Sequence, residues 1–352
     1  MNTPKNLLII RTDRIGDVVL TLPLAQIVKK YYPECKVSLL LTEYTKTLAA
    51  ENPYIDEILI LRTENKKVSL VKNLSVLERH HFDSCIVVSP SFIMALIVFL
   101  SEIKLRIGTG YRWYSFLFNS KIFAHRKFAE KHELEFNIDM LKPLGIDYTP
   151  KKEELDYSIK ADNVSHIETE SLFAEEKINP RKPIIIIHPG SGGSSVDYPA
   201  SKFKELIELI MQIPGTQVIL TGSEQEINLC SLMEIPGKTK NFAGKLSLAR
   251  LIALIEKSHI FIANSTGPLH LAAALGKYVI GFYPNQLACS SKRWGPYSDK
   301  GFVFTPDNEC EDCKREQCAS ENCMNSIKAA DVFGTVQKIC QILENNGEIN
   351  EK

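Results

Sequence analysis

The chain has 352 residues, 42 Lys and Arg against 42 Asp and Glu, and 44% hydrophobic residues. That length suits two domains at roughly 150 residues each, and the charge balance gives no bulk argument for nucleic acid as a partner. The longest apolar run, Phe92–Leu100, is far short of the ~20 residues that span a bilayer. Met1-Asn2-Thr3-Pro4-Lys5 leads straight into an apolar run with no secretory signature, so the expectation is a soluble, cytoplasmic protein.

Taken in chain order, Leu7–Arg11 reads as a strand and Val18–Lys30 as a helix with Pro23 near its first turn. Val37–Leu41 and Ile58–Leu61 read as strands, with a short helix over Thr45–Glu51 between them. Lys66–Arg79 is amphipathic, Ser84–Ser89 is a strand, Phe92–Glu102 a helix, and Arg106-Ile107-Gly108 a short strand. Strands alternating with helices predict a parallel sheet covered on both faces. Arg112–Phe118 mixes a cation with aromatic rings. It is expected to pack as core for most of these rings, with contact to a lipid surface or amphipathic acceptor as the alternative.

Residues 150–182 are charged and end on Pro180-Arg181-Lys182-Pro183, which places the interdomain linker there. The rhythm then restarts. Ile184–His188, Val218–Thr221, Ile260–Ala263 and Tyr278–Tyr283 read as strands; Lys202–Met211, Leu248–Lys257, Leu269–Leu275 and Ala330–Glu344 read as helices. The domains are expected to be 1–160 and 161–352, each a doubly wound Rossmann-like unit, with ligands at the carboxyl ends of the strands.

Four loops carry residue types suited to chemistry. The first is Arg11-Thr12-Asp13-Arg14-Ile15-Gly16-Asp17, which lacks the G-x-G-x-x-G pattern of dinucleotide sites. Asp17 at a helix start is either a cap or a general base, and Arg11 and Arg14 either bind an anionic substrate or are surface charge. The second is His188-Pro189-Gly190-Ser191-Gly192-Gly193-Ser194-Ser195, whose backbone N–H groups and hydroxyls suit a phosphate. The third is Thr221–Glu226, where a carboxylate can take ribose hydroxyls or cap a helix through Glu224 or Glu226.

The fourth, Phe261–Gly276, reads as a strand, a polar turn and a helix start. Asn264, Ser265 and Thr266 offer N-cap chemistry, Pro268 suits the first turn, and Gly276 suits a left-handed C-terminus. The stretch is either a well-capped helix with a surface histidine or a helix start that takes a phosphate or diphosphate, and His270 beside Thr266-Gly267, leaning toward the same anion, favours the second. Near the C-terminus, Cys310, Cys313, Cys318 and Cys323 can bind structural zinc, form disulfides or stay as thiols.

In this order, LLIIRTDRIGDVVLTLPL, HPGSGG with YPASKF, ANSTGPLHLAAALG, RWGPYS and the cysteine segment ending CMNSI resemble glycosyltransferase family 9, the ADP-heptose:lipopolysaccharide heptosyltransferases. The resemblance spans nearly the whole chain. It implies a GT-B architecture, two Rossmann-like domains facing across a cleft, with the acceptor in the N-terminal domain and the nucleotide sugar in the C-terminal one. It implies inverting transfer of heptose from ADP-heptose to the lipopolysaccharide inner core, with no required metal or other cofactor. No D-x-D pair is present. Peripheral contact with the cytoplasmic face of the inner membrane is a further expectation.

By the resemblance, Asp17 is the catalytic base, Thr266, Gly267 and His270 hold the diphosphate, and Glu226 binds the ribose. From their residue types, Ser191 and Gly192 are further candidates for the diphosphate, and Arg11 and Arg14 for the acceptor. Two positions depart from the family pattern. Val196-Asp197 precede Tyr198-Pro199 where members carry a lysine, and Ser265 stands where members commonly carry an aspartate. Lys202 or Arg293 is a candidate replacement for the missing cation. The alternatives are the same fold with another nucleotide-sugar donor, or a catalytically silent protein of glycan assembly.

Overall fold

The protein is described by a computed structural model over residues 3–307 and 322–349. The chain divides into two compact units, Met1–Lys160 and Ala161–Lys352.

In the first unit the strands are β1 (Asn6–Ile10), β2 (Lys36–Leu41), β3 (Glu57–Ile60), β6 (Ser84–Val87), β7 (Leu105–Thr109) and β8 (Ser120–Ile122). They lie in the order β3-β2-β1-β6-β7-β8, every pairing parallel. A separate hairpin, β4 (Thr63–Glu64) with β5 (Lys67–Val68), turns through Asn65 and Lys66, both at positive φ. The central strands are buried almost throughout because helices cover both faces, which is why they read as continuous apolar runs.

The helix expected over Val18–Lys30 is two helices, α1 (Ile15–Val19) and α2 (Pro23–Tyr31). Thr21 Oγ1 donates back to the Asp17 carbonyl at 2.8 Å, and Pro23 in the first turn of α2 has no N–H to continue the ladder. The break turns the chain without exposing Leu20 or Leu22. Helix α3 (Leu70–His80) starts only after the hairpin, so the amphipathic stretch from Lys66 is part strand and part helix. Ser91 caps α4 (Phe92–Leu100) by accepting from Met94 N. His132 and Glu135 form a reciprocal cap at the start of α5 (Glu133–Asp139).

The charged stretch expected to be linker is ordered. Asp162 accepts from Ser165 N at 2.7 Å and starts α6 (Asn163–Glu175), which packs on α9 (Leu248–Glu256) in the second unit. The second unit's strands are β9 (Ile184–His188), β10 (Gln217–Leu220), β11 (Thr239–Asn241), β12 (Ile260–Asn264), β13 (Tyr278–Phe282) and β14 (Gly301–Phe304). They follow the order β11-β10-β9-β12-β13-β14, again all parallel. Both sheets thus have the doubly wound order 3-2-1-4-5-6, and the order reverses between β1 and β6 in one unit and between β9 and β12 in the other. One face of the second sheet packs on α7 (Ala200–Ile210) and the closing helix Ala329–Asn345, around Phe203, Val332, Val336 and Ile339. Tyr198 stacks on Phe282 at 4.1 Å between ring centres.

Among the described residues, no helix is long and apolar enough to cross a membrane. Arg112–Phe118 is not a core helix. Its regular part is a 3₁₀ turn, Ser115–Leu117, which buries Tyr114, Leu117 and Phe118 and leaves Trp113 and Phe116 exposed.

Candidate active-site loops

Each topological switch point holds loops singled out from the sequence, at the strands' carboxyl ends where doubly wound sheets bind ligands. In the first unit the chain leaves β1 through Arg11 and enters α1, whose first turn carries Asp17. The Asp17 carboxylate pairs directly with Nη2 of Arg11, whose Nε donates to Asp13 Oδ1 at 2.7 Å. Arg11 Nη1 lies 3.8 Å from Glu133 on α5, and Glu133 in turn pairs with Arg126. Arg126 also donates to Asn137 Oδ1 at 2.9 Å, and Asn137 Nδ2 donates to the Leu20 carbonyl, so α5 supports the turn behind Asp17.

Burial raises the Asp17 pKa to about 6, against the pull of Arg11; Asp13 and Glu133 push it further up. This carboxyl is therefore an effective proton acceptor near neutral pH. Arg11 is only 3% exposed and holds Asp13 and Asp17, which makes it the internal counter-ion of Asp17 rather than an open anion receptor. Arg14, at the N-cap of α1, is exposed and gives no side-chain cap. Sequence reasoning missed Glu133 and Arg126. Both come from a segment with no signal of its own, and only the fold brings them to β1.

In the second unit the loop after β9 runs from His188 through Ser195 beside the end of β12. Gly192 and Gly193 both adopt positive φ, the left-handed region that favours glycine, and turn the chain sharply there. Ser194 Oγ donates to the Ser191 carbonyl at 2.8 Å and is 3.0 Å from the Ser265 carbonyl, which ties the two loops together. Asn264 braces the same junction, with Nδ2 on the Pro189 carbonyl and Oδ1 accepting from Tyr198 N. The hydroxyls of Ser191 and Ser195 are buried and have no hydrogen-bond partner. A buried hydroxyl left so costs about 1–3 kcal/mol, so each of these two would gain from a hydrogen-bond partner.

Helix α10 (Gly267–Ala274) starts here with Thr266 as N-cap. Contrary to the capping chemistry expected of this turn, the Thr266 side chain makes no cap hydrogen bond. Gly276 has φ +71, as its place after the helix requires. His270 is buried in the first turn, 6.1 Å from the Trp294 ring, and Arg293 lies 4.8 Å over that same ring. Lys202 is paired with Glu205 along α7 at 3.0 Å, so of the two replacement cations Arg293 is the one that shares a neighbour with His270.

Glu226 sits at the third loop, in a short 3₁₀ turn, Glu224–Glu226. Its Oε2 accepts from Ser223 N at 2.7 Å and Ser223 Oγ at 2.9 Å, so it caps the turn. Its Oε1 lies against Gly190, where a Cβ would come within 1.7 Å of it. His188 Nδ1 contacts Thr221 Oγ1 at 3.0 Å, and burial lowers its pKa and favours the neutral ring. Cys310, Cys313 and Cys318 lie outside the described residues; Cys323 opens a 3₁₀ turn, Cys323–Ser326, against the second unit's core.

These two loop systems bear on the comparisons with known proteins. The sequence matches the description "Glycosyltransferase family 9 (heptosyltransferase)" over residues 70–324. It is 28% identical to a "Putative glycosyltransferase" of Haemophilus influenzae, over 86% of this chain and 89% of that one. It is 25% identical to lipopolysaccharide heptosyltransferase 3 of Escherichia coli, over 92% and 96%. In fold it resembles the ADP-heptose lipopolysaccharide heptosyltransferase II of E. coli, with TM-score 0.77, 19% identity and coverage of 97% and 99%. The two parallel six-stranded units are the GT-B type of fold, and with the family match over most of its length the chain belongs to glycosyltransferase family 9 and is a glycosyltransferase.

Proposed function

We propose that the protein transfers heptose from ADP-heptose to the lipopolysaccharide inner core, with inversion and without a required metal. The observation that carries this reading is Asp17, a carboxyl held by a buried arginine and poised at about 6 on the rim of its sheet. Asp17 takes the proton of an acceptor hydroxyl as that oxygen attacks the anomeric carbon. The bond to ADP breaks on the opposite face, and negative charge grows on the leaving diphosphate. Donors fixed in place before the reaction stabilise that charge without reorganising. Here those donors are the N–H groups of Gly192 and Gly267, the hydroxyls of Ser191, Ser195 and Thr266, and His270. Glu226 keeps one oxygen toward Gly190 for the ribose hydroxyls. Arg14 meets the acidic acceptor, and Arg11 serves it only through Asp17. Two E. coli relatives, lipopolysaccharide heptosyltransferase 3 and the ADP-heptose lipopolysaccharide heptosyltransferase II, support heptose and ADP as the chemistry.

The test is ADP release from ADP-heptose with a heptose-deficient lipid acceptor. No release, or equal release from Asp17→Asn, overturns the proposal. A second reading keeps the reaction and changes the donor, because Val196 and Ser265 replace residues that members place near the donor. Calorimetry against ADP, UDP and GDP separates the two: tightest binding of ADP supports the first reading, and of UDP or GDP the second.

A further inference from the structure

The charge of this chain is balanced overall but not evenly spread. Between Glu102 and Glu130 there is no acidic residue, while Lys104, Arg106, Arg112, Lys121, Arg126 and Lys127 supply six cations. The same stretch carries seven aromatic residues. Three are among the most exposed large side chains of the protein: Trp113 at 72%, Phe116 at 67% and Phe123 at 65%.

The fold gathers these rings on one rim. Phe92 follows β6, Tyr111 and Trp113 follow β7, and Phe123 to Phe128 follow β8, so all leave the carboxyl ends of neighbouring parallel strands. They form two contacting groups. Phe92 meets Trp113 at 4.8 Å; Tyr111 meets Phe123 at 5.5 Å and stacks on His125 at 3.7 Å, which meets Phe128 at 5.7 Å. Tyr111, Arg112 and Trp113 join the groups through the chain. Arg112, Lys121 and Lys127 are exposed beside them. The rim leads to the candidate base, because Arg126 ends it and pairs with Glu133, the neighbour of Arg11 and Asp17.

Exposed apolar groups on this scale cost solvation free energy unless something covers them. Trp, Tyr and Phe beside Lys and Arg, in a stretch with no acid of its own, are the composition that settles at the headgroup level of a negatively charged bilayer. A nucleic acid would also meet the cations, but aromatic stacking of bases calls for rings laid along a groove. Here the two groups pack their rings on each other. We propose that the rim formed by Phe92, Tyr111, Trp113, Phe123 and Phe128, with Phe116 exposed in the turn between β7 and β8, docks on an anionic phospholipid surface. Docking there brings Asp17's rim to the lipid headgroups, where a lipid-linked acceptor hydroxyl sits.

The test uses the full chain, without donor or acceptor, and co-sedimentation with phosphatidylethanolamine vesicles containing about one-quarter phosphatidylglycerol. Binding is therefore read independently of transfer, and failure of either reading leaves the other standing. Expected is binding that weakens from 0.1 to 1 M salt, as screening requires (these concentrations correspond to Debye lengths of about 10 and 3 Å). Replacing Trp113, Phe116 and Phe123 together with Ser is expected to lower the partition coefficient at least ~10-fold. Arg112→Glu with Lys127→Glu is expected to remove the preference for anionic over phosphatidylcholine vesicles. Val164→Ser with Ile167→Ser, on an exposed face of the other unit, is the control and leaves binding unchanged. The proposal is overturned if the parent chain binds neutral and anionic vesicles equally, or if the ring variant binds as the parent does. It is also overturned if light scattering shows these rings holding a dimer that ignores vesicles, or if a single-stranded RNA competes the vesicles away.

Discussion

The two units share one topology and furnish its strand ends with different residues. The rim of the first is crowded with charge, with Arg11, Asp13, Asp17, Glu133 and Arg126 neutralising one another over a few ångströms. The loops at the β9–β12 junction of the second are built from glycines at positive φ, hydroxyls and a neutral histidine. A buried charge network sets a proton affinity. Uncharged N–H and O–H donors suit an anion. Strand order fixes where a site lies, and on the proposed reading the residues at the strand ends divide proton transfer from phosphate binding.

The sharpest way to break this contrast is Asp17→Asn. If the first rim handles the proton, turnover falls ~10²–10⁴-fold while ADP affinity by calorimetry stays as it was. A matching loss of ADP affinity would show that the rims do not divide the work. Next is Ser191→Ala. Because its hydroxyl has no partner in the protein, thermal stability should hold or rise slightly, while ADP binding weakens roughly 10-fold or more, as for a hydrogen bond to a charged group. Loss of stability without loss of ADP affinity would make it a structural serine. Gly190→Ala drives a Cβ into Glu226 and should cost about 1–3 kcal/mol by denaturant unfolding, as overpacking does. Gly192→Ala meets open space and should cost only the strain of φ +57, about 1 kcal/mol.

The smallest effect is a shift in pH dependence. With Asp17 as base, kcat/KM rises as pH passes through about 6. Glu133 raises the Asp17 pKa, so Glu133→Gln moves that limb to lower pH; an unmoved limb would detach Glu133 from the base. The sign for stability follows from the same shift. The folded pKa lies above the ordinary aspartate value, so the native state binds more protons than the unfolded one between about 4 and 6. Asp17 thus makes the fold less stable as pH rises across that window, and nothing further is lost above it. Elemental analysis of the purified chain settles the four clustered cysteines, since zinc at one equivalent identifies a metal site and its absence identifies thiols or disulfides.

The sheets were legible because parallel strands buried on both faces read as unbroken apolar runs, and Ile184–His188 matches to the residue. The same property hid the break between α1 and α2. Val18 to Leu24 is apolar on every side but Thr21, so no period marked the stop. Helix α6 reads as linker because its buried face is made of Ser165, Thr169 and Phe173, and its exposed face shows Val164 and Ile167, which inverts the usual pattern. Edge strands β8 and β14 are short and only partly buried, and carry little signal. At the sites, loop positions and residue types were readable. That Arg11 is occupied and that Glu133 lies beside it depends on tertiary placement.

The acid-free stretch has one more consequence. Total charge is zero and residues 103–129 carry +6, so the other residues together carry −6. The exposed cations of that stretch, Arg112, Lys121 and Lys127, give its rim a local positive charge on a chain with no net charge. If the proposed docking holds, a negatively charged surface exerts little net pull on the chain at a distance but draws this rim inward as it nears. On that proposal the rim would meet the surface already oriented, and salt, by shortening the reach of the field, would slow productive encounters before it weakened the contacts themselves.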